Sequence, residues 1–201
     1  NHSHSHAYFL NGGIQEFEKD LNESEAIFNH YIGFMPKLYA YPYGEWNNQM
    51  VDVLKDYGYI GAAAQNSGVM HLSSNMLALP RFPMSNAYAS IKQFEEKLRM
   101  KGFNNGKSEF KVHGLAAIDQ PLLFITLDSN HFTSENIQGF IAGKNPVLEV
   151  KKNSNGKLEV LLFTKEALRS RRTLFTITAK DNSGDWHWMS YVFVQPQIVN
   201  R

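Results

Sequence analysis

Between Ile14 and Ile32 the apolar residues Ile14, Phe17, Leu21, Phe28 and Ile32 recur at helical intervals, while Glu16, Glu18, Lys19 and Glu25 fill the other face. This spacing predicts an amphipathic helix, with Gly33 placed to end it. Met35 to Tyr43 reads as a short extended segment closed by Pro42 and Gly44. A second helix is predicted from about Asn47, burying Met50, Val51, Leu54 and Tyr57 and stopping at Gly58. Tyr59 to Gln65 and Leu77 to Pro83 follow as strands, and Ile91 to Met100 as a third helix with Phe94 and Leu98 inward and Lys92, Glu95, Glu96 and Lys97 outward. Strands alternating with helices point to an α/β layout with largely parallel strands.

Beyond the Gly and Asn cluster at Gly102 to Gly106 the helical period disappears. Leu122 to Leu127, Ile137 to Ala142, Val147 to Val150, Leu158 to Phe163, Leu174 to Ala179 and Trp186 to Val194 are short β-type runs, separated by turn-rich stretches such as Lys152 to Lys157 and Lys180 to Asp185. That pattern fits a small antiparallel β-sandwich. The boundary is expected near residues 112 to 120, with Asp119-Gln120-Pro121 opening the second domain, which divides the chain into residues 1–112 and 113–201.

Composition narrows the chemistry. In 201 residues, 43% hydrophobic and 19% charged, there is enough apolar material for a proper core. Twenty Lys and Arg against 19 Asp and Glu give a net charge of +1, so charge alone argues against a nucleic-acid partner. The absence of cysteine removes disulfides, thiolate metal sites and cysteine nucleophiles. No apolar run approaches the roughly 18 to 20 residues of a transmembrane segment. A start at Asn1, without initiator Met or signal peptide, suggests a processed or truncated product.

Asn1-His2-Ser3-His4-Ser5-His6 brings three imidazoles together. Neutral imidazole is the commonest metal ligand, and residues four apart on a helical turn can aim two rings at one ion. The same six residues also read as a purification tag or a solvated terminus. About one helix downstream stands Tyr39-Ala40-Tyr41-Pro42-Tyr43-Gly44-Glu45, whose Pro-Tyr-Gly tip can bring backbone N–H groups close to a ligand because Gly44 lacks a Cβ. Taken alone, it could equally be a plain turn.

In that order, these parts resemble the polysaccharide deacetylase family, the NodB-homology carbohydrate esterases. The family's His-Ser/Thr-x-x-His motif is matched by His2-Ser3-His4-Ser5-His6, which implies His2 and His6 as metal ligands and His4 as a spacer. Its Arg-Pro-Pro-Tyr-Gly motif looks like Ala40-Tyr41-Pro42-Tyr43-Gly44, and Gly58 to Ala62 and Leu79-Pro80-Arg81-Phe82-Pro83 also look like family stretches. The resemblance covers roughly residues 1 to 110. It implies a (β/α)7-type barrel, here incomplete because its opening strands are missing, with exposed edges and apolar faces as a consequence.

The departures are specific. The family's two aspartates, one a metal ligand and one the general base, lie upstream of the motif matched at His2, so either the missing segment accompanies this one as a separate chain or the remaining elements close up differently. Ala40 replaces the family Arg, leaving Arg81 as the cation that would hold the base. The Leu-x-Leu-His motif is absent, and the surroundings of His113 do not match it. The resemblance therefore implies a metal-dependent polysaccharide N-deacetylase of secreted, periplasmic or cell-envelope location. It would use a divalent ion, Zn²⁺ first, on an N-acetylated polysaccharide built on N-acetylglucosamine. Tyr43 would supply an oxyanion N–H, and Tyr41, Pro42, Gly44 and Trp46 would contact sugar. The alternative is a non-catalytic carbohydrate-binding or cell-envelope protein on a degenerate deacetylase scaffold.

Three further features complete the reading. Trp186 and Trp188 alternate with His187, so the two indoles face one way, either into a core or as a sugar platform. Arg169, Arg171 and Arg172 read as a solvated basic turn, and His30, His71 and His131 as isolated surface or helix-end residues.

Overall fold

The computed structural model describes residues 1–72, 74–85, 88–103, 108–115 and 118–198, and for 108–115 and 118–120 it describes the backbone alone. In the first part of the chain, α1 (Phe9–Gly12) leads into α2 (Ile14–Ile32), followed by β1 (Leu38–Ala40), a 3-10 turn (Pro42–Gly44), α3 (Asn48–Asp56), β2 (Gly61–Ala63) and α4 (Ile91–Leu98). Gly33 ends α2 in the left-handed conformation, its N–H bonding Asn29 O and Phe28 O. Asn47 caps α3 by accepting the Met50 N–H at 2.9 Å.

Strands β1 and β2 are parallel, and Leu79 adds a single parallel bridge to Ala63 where a strand over Leu77 to Pro83 was expected. Pro80 and Pro83 lack the N–H groups a longer ladder needs. On the other side of β1, Asn1 N donates to Leu38 O and Asn1 O accepts from Ala40 N, both at 2.8 Å, which is the pattern of one more parallel position. One face of this small sheet packs Tyr39, Tyr41 and Ala62 against Phe17 and Leu21 of α2 and Met50 and Leu54 of α3. The other face carries Leu38, 62% exposed. Among the described residues the strands form an open sheet with one covered face, not a closed barrel.

Two features of the helices depart from the sequence pattern. Glu25, placed outward above, is buried, as are Asp20 and Ser24, whereas Ile32 is exposed. Phe94 and Leu98, expected inward, are exposed and α4 buries none of its residues. Local signals suffice for α4, with Ser90 accepting the Gln93 N–H at 3.2 Å, but no described strand lies under its apolar side.

The second part of the chain is a sandwich of two antiparallel sheets. One has the order β3 (Ser108–Leu115), β4 (Ile118–Asp128), β7 (Lys157–Phe163), β6 (Val147–Lys152); the other has β5 (Phe132–Ile141), β8 (Arg172–Asp181), β9 (Trp186–Val194). Alternate residues of the strands meet between the sheets, with Leu123, Ile125, Val160, Leu162, Phe175 and Ile177 in one core. The two polar stretches read as turns are hairpin turns built on a shared device. Asn153 Oδ1 accepts from Asn155 N and Lys157 N, and Asp181 Oδ1 from Ser183 N and Asp185 N.

Strand β3 was not anticipated. It spans residue 112 and pairs with β4 from Ser108↔Ile125 to Leu115↔Ile118, with Pro121 inside β4, so the sandwich sheet takes in residues from 108 onward. The His113 side chain lies outside the described residues.

The two parts meet along β9 and the start of β8. Lys101 bridges β9, donating to Trp186 O at 2.8 Å and accepting from Trp188 N at 3.0 Å, and Ser67 Oγ lies 3.1 Å from Ser190 Oγ. Trp188 donates Nε1–H to Ser67 Oγ at 3.2 Å and packs edge-on against Phe82, so the two indoles do not form an open platform. His187, between them, contacts Phe103 and Phe132 and bonds Gly102 O and Asp181 Oδ2.

Candidate functional site

In this sheet the chain leaves Asn1, β1, β2 and Leu79 at one end, the C-terminal end of parallel strands, where α/β folds gather their ligands. His2, the Tyr41–Gly44 turn, Gln65 and Arg81 all follow those exits.

The histidines converge, but not on a helical turn. Residues 1–6 form a bent loop with Ser3 and His6 at positive φ, 67° and 54°. Its backbone is tied down by side chains: Asn1 Oδ1 accepts the Ser3 N–H at 3.0 Å and Ser3 Oγ the His6 N–H at 2.9 Å. Buried Asp20 of α2 receives the His4 N–H at 2.9 Å and the Ser5 N–H at 2.7 Å on its two carboxylate oxygens. Asp20 was missed in the sequence because it lies among the polar residues of α2. Its one signal is a carboxylate beside Leu21 on the side the helix turns inward.

Within this loop His2 Nδ1 lies 2.7 Å from Ala40 O. Donation there places the His2 lone pair on Nε2, the orientation a carbonyl gives a metal-binding imidazole. His6 Nε2 stands 3.1 Å from His2 Nε2. Two nitrogens each about 2.0–2.1 Å from one tetrahedral ion stand about 3.3 Å apart, so the pair fits two positions of such a site. Among the described residues no third His, Cys, Asp or Glu completes a ligand group. His4 turns away toward Glu23, its Nε2 4.0 Å from Glu23 Oε2.

Tyr43 adjoins the pair. Its ring lies edge-on to His6 at 4.6 Å and is stacked on Tyr8 at 3.9 Å. Burial and then Tyr8 raise the Tyr43 hydroxyl pKa, with Arg172 acting in the opposite direction. The backbone of Tyr43 is left-handed, φ 57°, and the turn's own hydrogen bonds, Gly44 N to Tyr41 O and Glu45 N to Pro42 O, do not use the Tyr43 N–H.

The other turn residues are placed differently from the sequence expectation. A Cβ on Gly44, at φ +69°, would lie 2.5 Å from Gln65 N, so this glycine makes room for the β2 exit and not for a ligand. Tyr41 and Pro42 are buried, Tyr41 donating its hydroxyl to Leu77 O at 2.7 Å, and neither offers a face to sugar. Burial pushes the Tyr41 hydroxyl pKa well up. Trp46 is half-buried against the same core.

Arg81, proposed from its charge, is engaged elsewhere: Nε–H donates to Ala64 O at 2.9 Å, and no described contact joins it to the histidines or Tyr43. The cation that reaches the turn is Arg172, whose Nη1 donates to Tyr43 O at 2.5 Å and to Gln65 Oε1 at 3.3 Å. Beside it, Arg171 is fully buried and forms a two-pronged pair with Glu45, Nε to Oε1 at 2.7 Å and Nη2 to Oε2 at 2.6 Å. The three-arginine stretch is thus no solvated turn at these two positions. A partner from the other part of the chain is invisible to local pattern.

The comparisons with known proteins bear on the same region. No curated protein matches the chain. A cohesin module from the Clostridium perfringens family 33 glycoside hydrolase aligns at 11% identity over 44% of this chain and 95% of its own length, with a TM-score of 0.14, too low to indicate a shared fold. The polysaccharide deacetylase family model matches residues 1–62, the stretch that holds His2, His6, β1 and the Tyr43 turn, so the likeness to that family lies in this part of the chain.

Proposed function

We propose that the chain is part of a metal-dependent polysaccharide N-deacetylase, a hydrolase that removes acetyl groups from an N-acetylglucosamine-containing glycan outside the cytoplasm. The observation that carries the reading is the pair of facing imidazole nitrogens beside Tyr43, 3.1 Å apart. A divalent ion bound there, Zn²⁺ first, supplies Lewis acidity toward an amide carbonyl and toward water. His2 and His6 hold it, with His2 kept in the ligating tautomer by Ala40 O. The Tyr43 N–H is free to donate to the acetamide oxygen as that oxygen gains charge. The Tyr43 ring, flanked by Tyr8, walls the site on the His6 side. The carboxylate ligand and the general base would come from the family's paired aspartates on a segment outside these 201 residues. Among the described residues no helix is long and apolar enough to cross a membrane.

A second reading, a glycan-binding protein on a degenerate deacetylase scaffold, draws on Ala40 standing where the family has Arg. Amine release from an acetylated glucosamine polymer, measured on the chain supplied with a segment carrying paired aspartates, separates the two. The enzyme reading expects Zn²⁺-dependent release lost in His2→Ala. Glycan binding without release, unchanged when both His2 and His6 are replaced, would leave only the scaffold.

A further inference from the structure

The route from the sandwich to the histidines is continuous. Arg171, immediately before β8, lies with its guanidinium carbon 4.0 Å from the centre of the Tyr8 ring. Tyr8 stacks on Tyr43 at 3.9 Å and 14°, Tyr43 meets His6 edge-on at 4.6 Å, and His6 meets His2 at 4.8 Å. The first member does not move freely: its other donors are fixed by Glu45, Asn11 Oδ1 at 2.8 Å and Pro196 O at 2.7 Å. Arg172 reaches the same tyrosine from another direction, bonding its carbonyl and lying 5.7 Å from its ring centre. Tyr43 holds an uncommon left-handed backbone, and Pro42 and Gly44 on either side are buried, so a bond to its carbonyl constrains the whole turn.

We infer that the β-sandwich completes the histidine site, with Arg171 and Arg172 as positioning residues that hold Tyr8 and Tyr43 and, through them, His6. This rests on the reading of His2 and His6 as metal ligands and adds to it a role for the sandwich. The arginines touch neither histidine. Their effect passes through aromatic faces and a backbone carbonyl, as outer-shell partners orient ligands in metal sites generally.

The test is Zn²⁺ affinity of the whole chain by calorimetry, with the absorption spectrum of the Co²⁺ form as a report of ligand geometry and circular dichroism as the check of folding. Since Arg171 is buried and its loss threatens folding, the informative variants are Arg172→Met and Tyr8→Leu, which break the two routes separately. Each is expected to weaken Zn²⁺ binding about tenfold or more, the scale seen for outer-shell changes, and to alter the Co²⁺ spectrum. Arg172→Lys, which keeps a donor for Tyr43 O, is expected to lose less. A purely structural role would lower the melting temperature and leave affinity and spectrum unmoved. If Arg172→Met and Tyr8→Leu both bind Zn²⁺ within twofold of the parent while the variant with His2→Ala and His6→Ala does not bind it, the positioning role is overturned and the histidine reading stands. If the double histidine variant binds as the parent does, both fall together.

Discussion

The two parts of this chain are built to different degrees of closure. The sandwich has two sheets facing each other across a single core, and Val160, Leu162, Phe175 and Ile177 are fully buried in it. The first part covers one face of a short parallel sheet and leaves Leu38, Ile60 and Met76 exposed, along with Tyr31, Ile32 and Phe34 at the end of α2 and Ile91, Phe94 and Leu98 of α4. An apolar face of this extent is costly to hydrate. The contrast suggests that the open part relies on its partner, and the Glu45–Arg171 pair is where that reliance is most concentrated.

The largest effect expected from breaking this comparison is at that pair. Glu45→Gln leaves a buried guanidinium without its countercharge and should cost about 3–5 kcal/mol, measured by urea unfolding, with both parts losing structure together. Independent unfolding of the sandwich at its original midpoint would show the reliance to be absent. Core truncation sharpens the contrast in the same experiment: Phe175→Ala should cost about 3–5 kcal/mol, whereas Leu98→Ala in α4 should stay within about 0.5 kcal/mol.

A smaller effect is expected at the turn. Gly44→Ala introduces a Cβ against Gln65 at a positive φ, and should lower stability by more than about 1 kcal/mol while weakening Zn²⁺ binding through displacement of Tyr43. Smaller still is a pH effect confined to the sandwich. Burial opposes ionisation of Asp181, but hydrogen bonds from His187 and from the Asp185 and Ser183 backbone outweigh it and hold the carboxyl below its ordinary value of 3.8. Its folded pKa lies below its unfolded one, so its contribution is present above the unfolded value and is lost as pH falls through the folded one. Thermal melts of Asp181→Asn should therefore fall below the parent at neutral pH and approach it in acid below about pH 3.8. A constant difference at all pH values would remove the carboxylate from the account.

Much of the local architecture was legible in the chain because it depends on local chemistry. The apolar period and Gly33 mark α2, Asn47 marks the start of α3, and the Asn153 and Asp181 turns mark two hairpins. The His2 to His6 spacing and the Pro-Tyr-Gly tip pointed to one place, and the structure brings them within ring contact. What the pattern misjudged depends on pairing across the chain. The exposed side of α4 looks like any buried helical stripe until its partner sheet is sought. Arg171 and Arg172 look like surface charge until Glu45 and Tyr43 are placed beside them. Asp20 looks like one more helix acid until residues 4 and 5 fold onto it.

The central claim is that His2 and His6 hold one ion beside Tyr43. Diffraction from zinc-soaked crystals, with data at the zinc absorption edge, tests it most directly. The account predicts an anomalous peak about 2.0–2.1 Å from both Nε2 atoms, with His2 Nδ1 still on Ala40 O. Zinc bound elsewhere, or imidazoles turned apart with no peak between them, would contradict it.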